Sequence, residues 1–311
     1  MIPLSPAPRF GLALGGGGAR GWAHLGVLRA FAEQGLRPAA IAGTSIGSLV
    51  GGFAAAGRLD ALVAELRGMD LKRVIGLFAE RKLPRAGLVD GRHVIDLIRE
   101  HLGNPVIEEL PIPFAAVATD AENGAEVVLD RGDLVTAIRA SISIPGMFSP
   151  VPWQGHYLVD GGLVNPLPVS VLAARGDLDA VVAVNLHGDG LTPFGREPGP
   201  SSVRGRFPAG STLHWLDRQK EKLETTARSA MKRWLAGADG PNIFQVMTHT
   251  VDIVSARLTT VCLRATPPSL LIEPRVGGIG HLEFHRVEEA VDAGYAAASA
   301  ALERWSSRGA A

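Results

Sequence analysis

The chain has 311 residues, 46% of them apolar and 20% charged, a size and balance that suit one large α/β domain or two small ones. Such a composition excludes a disordered or fibrous chain. With 31 basic side chains against 31 acidic ones, it also lacks the basic excess of a general nucleic-acid binder.

Residues 9–14 (RFGLAL) read as a short buried strand running into GGGGARG. From Gly21 onward Leu25, Leu28 and Phe31 share one side of a helix that Gly35 stops. Ile41 and Ala42 end a second strand, and GTSIG opens a helix of small residues. Strand, glycine-rich turn, helix, strand, sharp turn, helix is how an α/β sheet begins. Residues 59–103 read as amphipathic helices with a break at Pro84 and Gly87. Residues 114–130 read as a hairpin, with Asn123-Gly124 suiting a type I′ turn. A helix over 134–140 is stopped by a loop, SISIPGMFSPVPW, and residues 157–159 form a strand ending in Asp160-Gly161-Gly162. Residues 180–186 form a further buried strand, and 188–212, rich in Gly, Pro, Ser and Arg, an exposed loop. Helices over 213–236 and 243–264, a strand at 269–272 and a closing helix over 285–304 complete the chain. No linker separates two cores, so one domain over 1–311 is expected, with 188–242 as an excursion from it.

Gly43-Thr44-Ser45-Ile46-Gly47 is a GxSxG between a strand and a helix. The tight turn needs Gly43 and Gly47 because a side chain at either position would crowd the strand or the helix. It lifts Ser45 to where a substrate can reach it, and the helix N-terminus points its amides there. The competing reading of Ser45 is a helix cap in a structural turn. Gly16, Gly18 and Gly21 form a GxGxxG, which bares N–H groups to an anion. A dinucleotide would call for an acid about 20 residues on, where the chain has IAGTS instead, and a P-loop would call for Gly-Lys-Ser/Thr. The oxyanion of acyl transfer is the better fit, with a nucleophile elbow following closely.

Ser45 needs a base for its proton. Among the histidines, His281 and His285 are eligible by their order in the chain for a Ser…Asp…His triad, though nothing around them singles them out. His24 lies in the first helix and reads as a packing residue. Asp160 before Gly161-Gly162 is by itself a common turn.

GGGGARG, GTSIG and DGG, in that order, resemble the patatin-like phospholipase family. ASISIPGMFSPV, YLVDGGLVNPLP and SLLIEPRVGGIGHLEFHRVEEAVDAGY are also similar to its bacterial members, including those related to neuropathy target esterase. The likeness spans residues 10–187 and 243–300 and leaves 188–242 unmatched. The resemblance implies a three-layer α/β/α sandwich with a mostly parallel central sheet, and hydrolysis of fatty-acyl esters of phospholipids, lysophospholipids or neutral lipids. It implies a Ser–Asp dyad in place of a triad, with Ser45 as nucleophile and Asp160 as the acceptor of its proton. Gly16, Gly17 and Gly18 match the oxyanion loop, and Arg20 the basic residue that follows it. Arg20 has two readings, a tether for the glycine loop or a contact to a lipid phosphate. Such a mechanism requires neither metal nor cofactor.

An acyl chain needs an apolar slot, for which Ile142, Ile144, Pro145, Met147 and Phe148 are candidates beside an ordinary role in the core. Leu213, Leu216, Leu223, Ala227, Ala230 and Trp234, among Arg218, Lys220, Lys222, Arg228, Lys232 and Arg233, form a basic amphipathic pattern over 213–235. That pattern suits either an anionic membrane surface or a solvated surface helix. The start, MIPLSPAPRF, reads as no signal peptide, and no apolar run reaches the roughly 18 residues of a membrane span. Cys262, the single cysteine, can form no internal disulfide. The expectation is a cytoplasmic serine esterase acting on a lipid acyl ester, with no nucleic-acid partner and with residues 213–235 open to either a peripheral membrane contact or a solvated surface role. The rivals are a non-catalytic lipid-binding or regulatory protein that keeps the fold, and a His-dependent acyltransferase.

Overall fold

The computed structural model describes residues 9–78, 90–190 and 243–309. By compactness the chain divides into Met1–Leu191 with Thr248–Ala311, and Thr192–Met247; of the second unit only residues 243–247 are described. The expected loop over 188–212, beyond its first three residues, lies outside the described residues, as do the basic helix over 213–235 and the Pro84/Gly87 break.

Eight strands form one sheet: β1 (Phe10–Leu14), β2 (Ala40–Thr44), β3 (Phe114–Asp120), β4 (Glu126–Leu129), β5 (Val151–Trp153), β6 (His156–Asp160), β7 (Ala180–Val184) and β8 (Leu270–Ile272). Their order is β5-β6-β3-β2-β1-β7-β8, with β4 pairing β3 off that path. The run β3-β2-β1-β7-β8 is parallel throughout, whereas β4, β5 and β6 are joined antiparallel. The parallel strands are apolar almost without alternation (FGLAL, AIAGT, AVVAV), as burial on both faces demands.

Nine helices are described: α1 (Ala23–Glu33), α2 (Ile46–Ala55), α3 (Leu59–Leu66), α4 (Leu71–Phe78), α5 (Arg92–Leu102), α6 (Leu134–Ser141), α7 (Val169–Ala173), α8 (Ile243–Ala265) and α9 (Val287–Gly309). Leu12, Leu14, Ile41, Val182 and Val184 share one core with α1, α2, α5, α6 and α9. Ala13, Ala40, Ala42, Val181 and Ala183 point to the other face, against Val169 and Leu172 of α7 and Leu263 of α8. Successive side chains of a strand point to opposite faces, so these two cores make a three-layer α/β/α sandwich. Among the described residues no helix is long and apolar enough to cross a membrane.

Two local expectations are corrected. The hairpin of β3 and β4 is present, but residues 121–125 connect it and Asn123 does not take the positive φ that a type I′ turn requires. Instead the Asp120 carboxylate accepts from Glu122 N and Asn123 Nδ2, and Gly124, with φ 73°, turns the chain back. Side-chain capping of the loop by Asp120 prevails over the dipeptide preference. The stretch read as a loop up to Trp153 ends in β5, a short strand paired with β6.

Candidate active site

The two glycines of GTSIG are dictated by crowding. A Cβ on Gly43 would come within 2.4 Å of the Gly47 carbonyl oxygen, and one on Gly47 within 2.1 Å of the Leu14 carbonyl oxygen. Between them Ser45 adopts φ 55° and ψ −126°, a conformation that L-residues rarely take. This strain turns the chain sharply from β2 into α2. Ser45 N donates to Ser141 Oγ at 2.9 Å, which donates onward to the Val117 carbonyl at 2.6 Å.

Asp160 reaches Ser45 from the end of β6. Its Oδ2 accepts a 2.6 Å hydrogen bond from Ser45 Oγ, and its Oδ1 accepts from Gly162 N at 2.7 Å. Its backbone is held by Thr119 Oγ1, which donates to its carbonyl, and by its own N–H to the Ser143 carbonyl. Gly161 must lack a side chain, since a Cβ there would lie 2.3 Å from the Val117 carbonyl oxygen. Asp160 is 2% exposed and Ser45 6%. Burial pushes the Asp160 carboxyl up to about 6, against the hydrogen bonds from Ser45 and Gly162, which favour its ionised form.

The glycine loop departs in one respect from the expected oxyanion set. Gly16 sits against the serine, since a Cβ on it would lie 3.4 Å from Ser45 Cβ, yet its N–H donates to the Pro166 carbonyl at 3.0 Å. Gly17 and Gly18 precede and open a 3-10 helix, Gly18–Trp22, whose first N–H groups have no partner within the helix.

Arg20 is fully buried and faces no solvent. Its Nε donates to the Ile279 carbonyl at 2.9 Å, and its Nη1 and Nη2 reach Asp252 Oδ1 and Oδ2 at 3.3 and 3.2 Å. Of the two roles open to it, the geometry is that of the tether. Asp252, on α8, also has His187 Nε2 and His281 Nε2 at 3.0 and 2.9 Å from its Oδ1. Burial opposes its ionisation, but the two imidazoles and the Arg20 guanidinium hold its carboxyl well below the ordinary range. His24 Nε2 lies 2.8 Å from the Gly15 carbonyl, and burial lowers its pKa to about 4. Among the described residues, then, no histidine hydrogen-bonds Ser45, and a catalytic triad is not assembled.

A cavity of about 110 Å³ opens beside Ser45. Leu49 and Phe53 of α2, Leu62 and Leu66 of α3, and Ile98 of α5 line it, with Ile142, Ile144, Met147 and Phe148 from the loop after α6. Pro145, expected there too, is not among its lining residues. Arg139 fixes that loop: it bonds Ser143 Oγ, donates to the carbonyls of Asp90 and Ser149, and stacks over Phe148 at 5.1 Å. Sequence reading missed Ser141, His187 and Asp252, whose partners are distant in the chain, and Arg139, which joins its own loop to Asp90.

The patatin-like phospholipase family model matches residues 12–173, which contain the glycine loop, Ser45 and Asp160. An uncharacterized NTE family protein of Mycobacterium tuberculosis is 35% identical over 96% of this chain and 92% of its own length. A second from the same organism is 33% identical over 94% of this chain and 46% of its own length. Patatin-like phospholipase domain-containing protein 7 of Rattus norvegicus is 28% identical over 94% of this chain and 20% of its own length. The chain belongs to the patatin-like phospholipase family.

Proposed function

We propose that this protein hydrolyses acyl esters of lipids through Ser45 and Asp160, with no histidine in the proton path. The observation that carries the reading is the 2.6 Å bond from Ser45 Oγ to the buried Asp160 carboxylate, at the edge of an apolar cavity. An aspartate in water is too weak a base for a serine hydroxyl. Burial that raises it to about 6 narrows that mismatch.

In the acylation step Ser45 Oγ attacks the ester carbonyl carbon while its proton passes to Asp160 Oδ2. The N–H groups of Gly17 and Gly18 receive the developing oxyanion, and the Gly16 amide, engaged by Pro166, shapes the loop. Collapse of the tetrahedral intermediate breaks the bond to the alcohol oxygen, which takes the proton back from Asp160. Water, deprotonated by Asp160, then attacks the acyl-serine carbonyl; the bond to Ser45 Oγ breaks, Oγ takes the proton back from Asp160, and the fatty acid leaves. The acyl chain lies in the cavity lined by Leu49, Phe53, Leu62, Leu66 and Ile98. A peripheral membrane contact through residues 213–235 belongs to the same reading, resting on the basic and apolar pattern of that segment.

Intact-mass labelling with a fluorophosphonate probe tests the site before any substrate is known. One adduct on the wild type, absent from Ser45→Ala and strongly slowed in Asp160→Asn, is the expected result. An unlabelled, folded wild type would overturn the reading.

A further inference from the structure

One helix holds both halves of the site. Asp252 and Ser255 stand three residues apart on α8, hence on the same face. Asp252 takes Arg20 of the glycine loop in a fully buried ion pair. Ser255 Oγ donates to the Gly162 carbonyl at 3.0 Å, and Gly162 N is the donor to Asp160 Oδ1. Asp252 reaches the loop by a second route. His281, whose Nε2 lies 2.9 Å from Asp252, accepts the Ala19 N–H on its carbonyl oxygen, and a Cβ on Gly18 would lie 2.6 Å from that same oxygen. The Arg20 guanidinium is bonded likewise to Ile279 in this segment. Asp252, Ser255 and His281 all lie outside residues 12–173, the span that the family model matches.

We infer that Asp252 and Ser255 are positioning residues of α8, which together set the oxyanion loop against the Asp160 turn. Neither touches the reacting atoms. Asp252 acts through Arg20 and His281 on the amides of Gly17 and Gly18, and Ser255 acts through Gly162 on the carboxylate of Asp160. Displacements of a fraction of an ångström in such groups reduce turnover far more than ground-state binding. The inference rests on the proposed Ser45–Asp160 chemistry.

The test uses the full chain with Asp252→Asn, which keeps the shape and removes the charge, Ser255→Ala, Ser255→Thr and the double variant Asp252→Asn/Ser255→Ala. Labelling by the fluorophosphonate, carried to completion, counts competent sites, so an unfolded fraction does not enter the rates. Per competent site, kcat on a short p-nitrophenyl ester should fall ~10-fold or more in Asp252→Asn with KM within ~3-fold, and Ser255→Thr should restore most of what Ser255→Ala loses. Affinity for a trifluoromethyl ketone, which forms a tetrahedral adduct on the serine, should weaken by the same factor as kcat/KM. The double variant should lose less than the product of the single losses, since both residues set one distance. A kcat per competent site within twofold of wild type in the double variant, or an undiminished ketone affinity, would overturn the inference while the labelled wild type leaves the Ser45–Asp160 reading standing. No label on the wild type would remove that reading, and this inference with it.

Discussion

Ser45 and Asp160 are 115 residues apart in the chain, and the hydrogen bond between them, 2.6 Å from Oγ to Oδ2, is buried. Two different turns bring them together: the strained elbow between β2 and α2, and the Asp160-Gly161-Gly162 turn after β6. Both turns press on the same neighbour. Ser141 bonds Ser45 N to the Val117 carbonyl, and Gly161 packs against that carbonyl too. The middle of β3 is therefore the common template for Ser45 and Asp160.

The proposed role of Asp160 predicts an acid limb in the activity. A base works only when deprotonated, and burial holds this carboxyl at about 6. With Asp160 as the base, kcat/KM should be flat above neutrality and fall about tenfold per pH unit below about 6. The measurement is a pH profile of kcat/KM on a non-ionising ester. A limb near the ordinary carboxylate value of about 4 would take Asp160 out of the role.

The same shift has a consequence for stability. The folded protein binds this proton more tightly than the unfolded chain, so stability contributed at low pH is lost as pH rises from 3.8 to about 6. The difference corresponds to ~3 kcal/mol at neutral pH. Asp160→Asn removes the ionisation while keeping a donor toward Ser45 Oγ and an acceptor for Gly162 N. It should therefore be more stable than wild type by ~1–3 kcal/mol above pH 7, with the gain vanishing toward pH 4. Urea unfolding across that range checks it, and a gain independent of pH would refute the cause.

Backbone strain at Ser45 is separable from its chemistry. Ser45→Ala and Ser45→Gly both delete the bond to Asp160, but only glycine takes φ 55° and ψ −126° without crowding a Cβ. Ser45→Gly should exceed Ser45→Ala in stability by ~1–2 kcal/mol, despite the greater entropy of glycine in the unfolded chain. Equal stabilities would mean that the elbow stores no strain.

Much of this was legible in the residues because the signals are local. Gly43 needs its bareness for the first turn of α2, within one strand–turn–helix unit, although the crowding at Gly47 comes from Leu14 of the neighbouring β1. The apolar runs of β1, β2 and β7 likewise announce strands buried on both faces. The role proposed for Asp160 was legible only through resemblance, since Asp-Gly-Gly alone is a common turn. Asp252 was invisible, because an aspartate in a long polar–apolar helix gives no sign that Arg20, His187 and His281 converge on it from three other segments. Gly16 shows the converse limit. Its sequence context fits an oxyanion donor, and only the fold reveals that Pro166 takes its N–H.

The cavity makes the last prediction, on chain length. Leu66 of α3 lines it and is 4% exposed, so a larger side chain there must project into the slot or displace α3. Each methylene that a pocket accepts or refuses is worth ~1–3 kcal/mol in discrimination. Leu66→Phe should thus lower the ratio of kcat/KM for a long-chain ester to that for a short-chain ester by ~10-fold or more. Leu66→Ala, which opens space, should move the optimum toward longer chains. The ratio is the right readout because any loss of folded protein cancels within it, as does any shift of Ser45 common to both substrates. A series of p-nitrophenyl esters of rising length measures it. An equal fall at every length would place the acyl chain outside this cavity, and the apolar lining from α2, α3 and α5 would then be core packing alone.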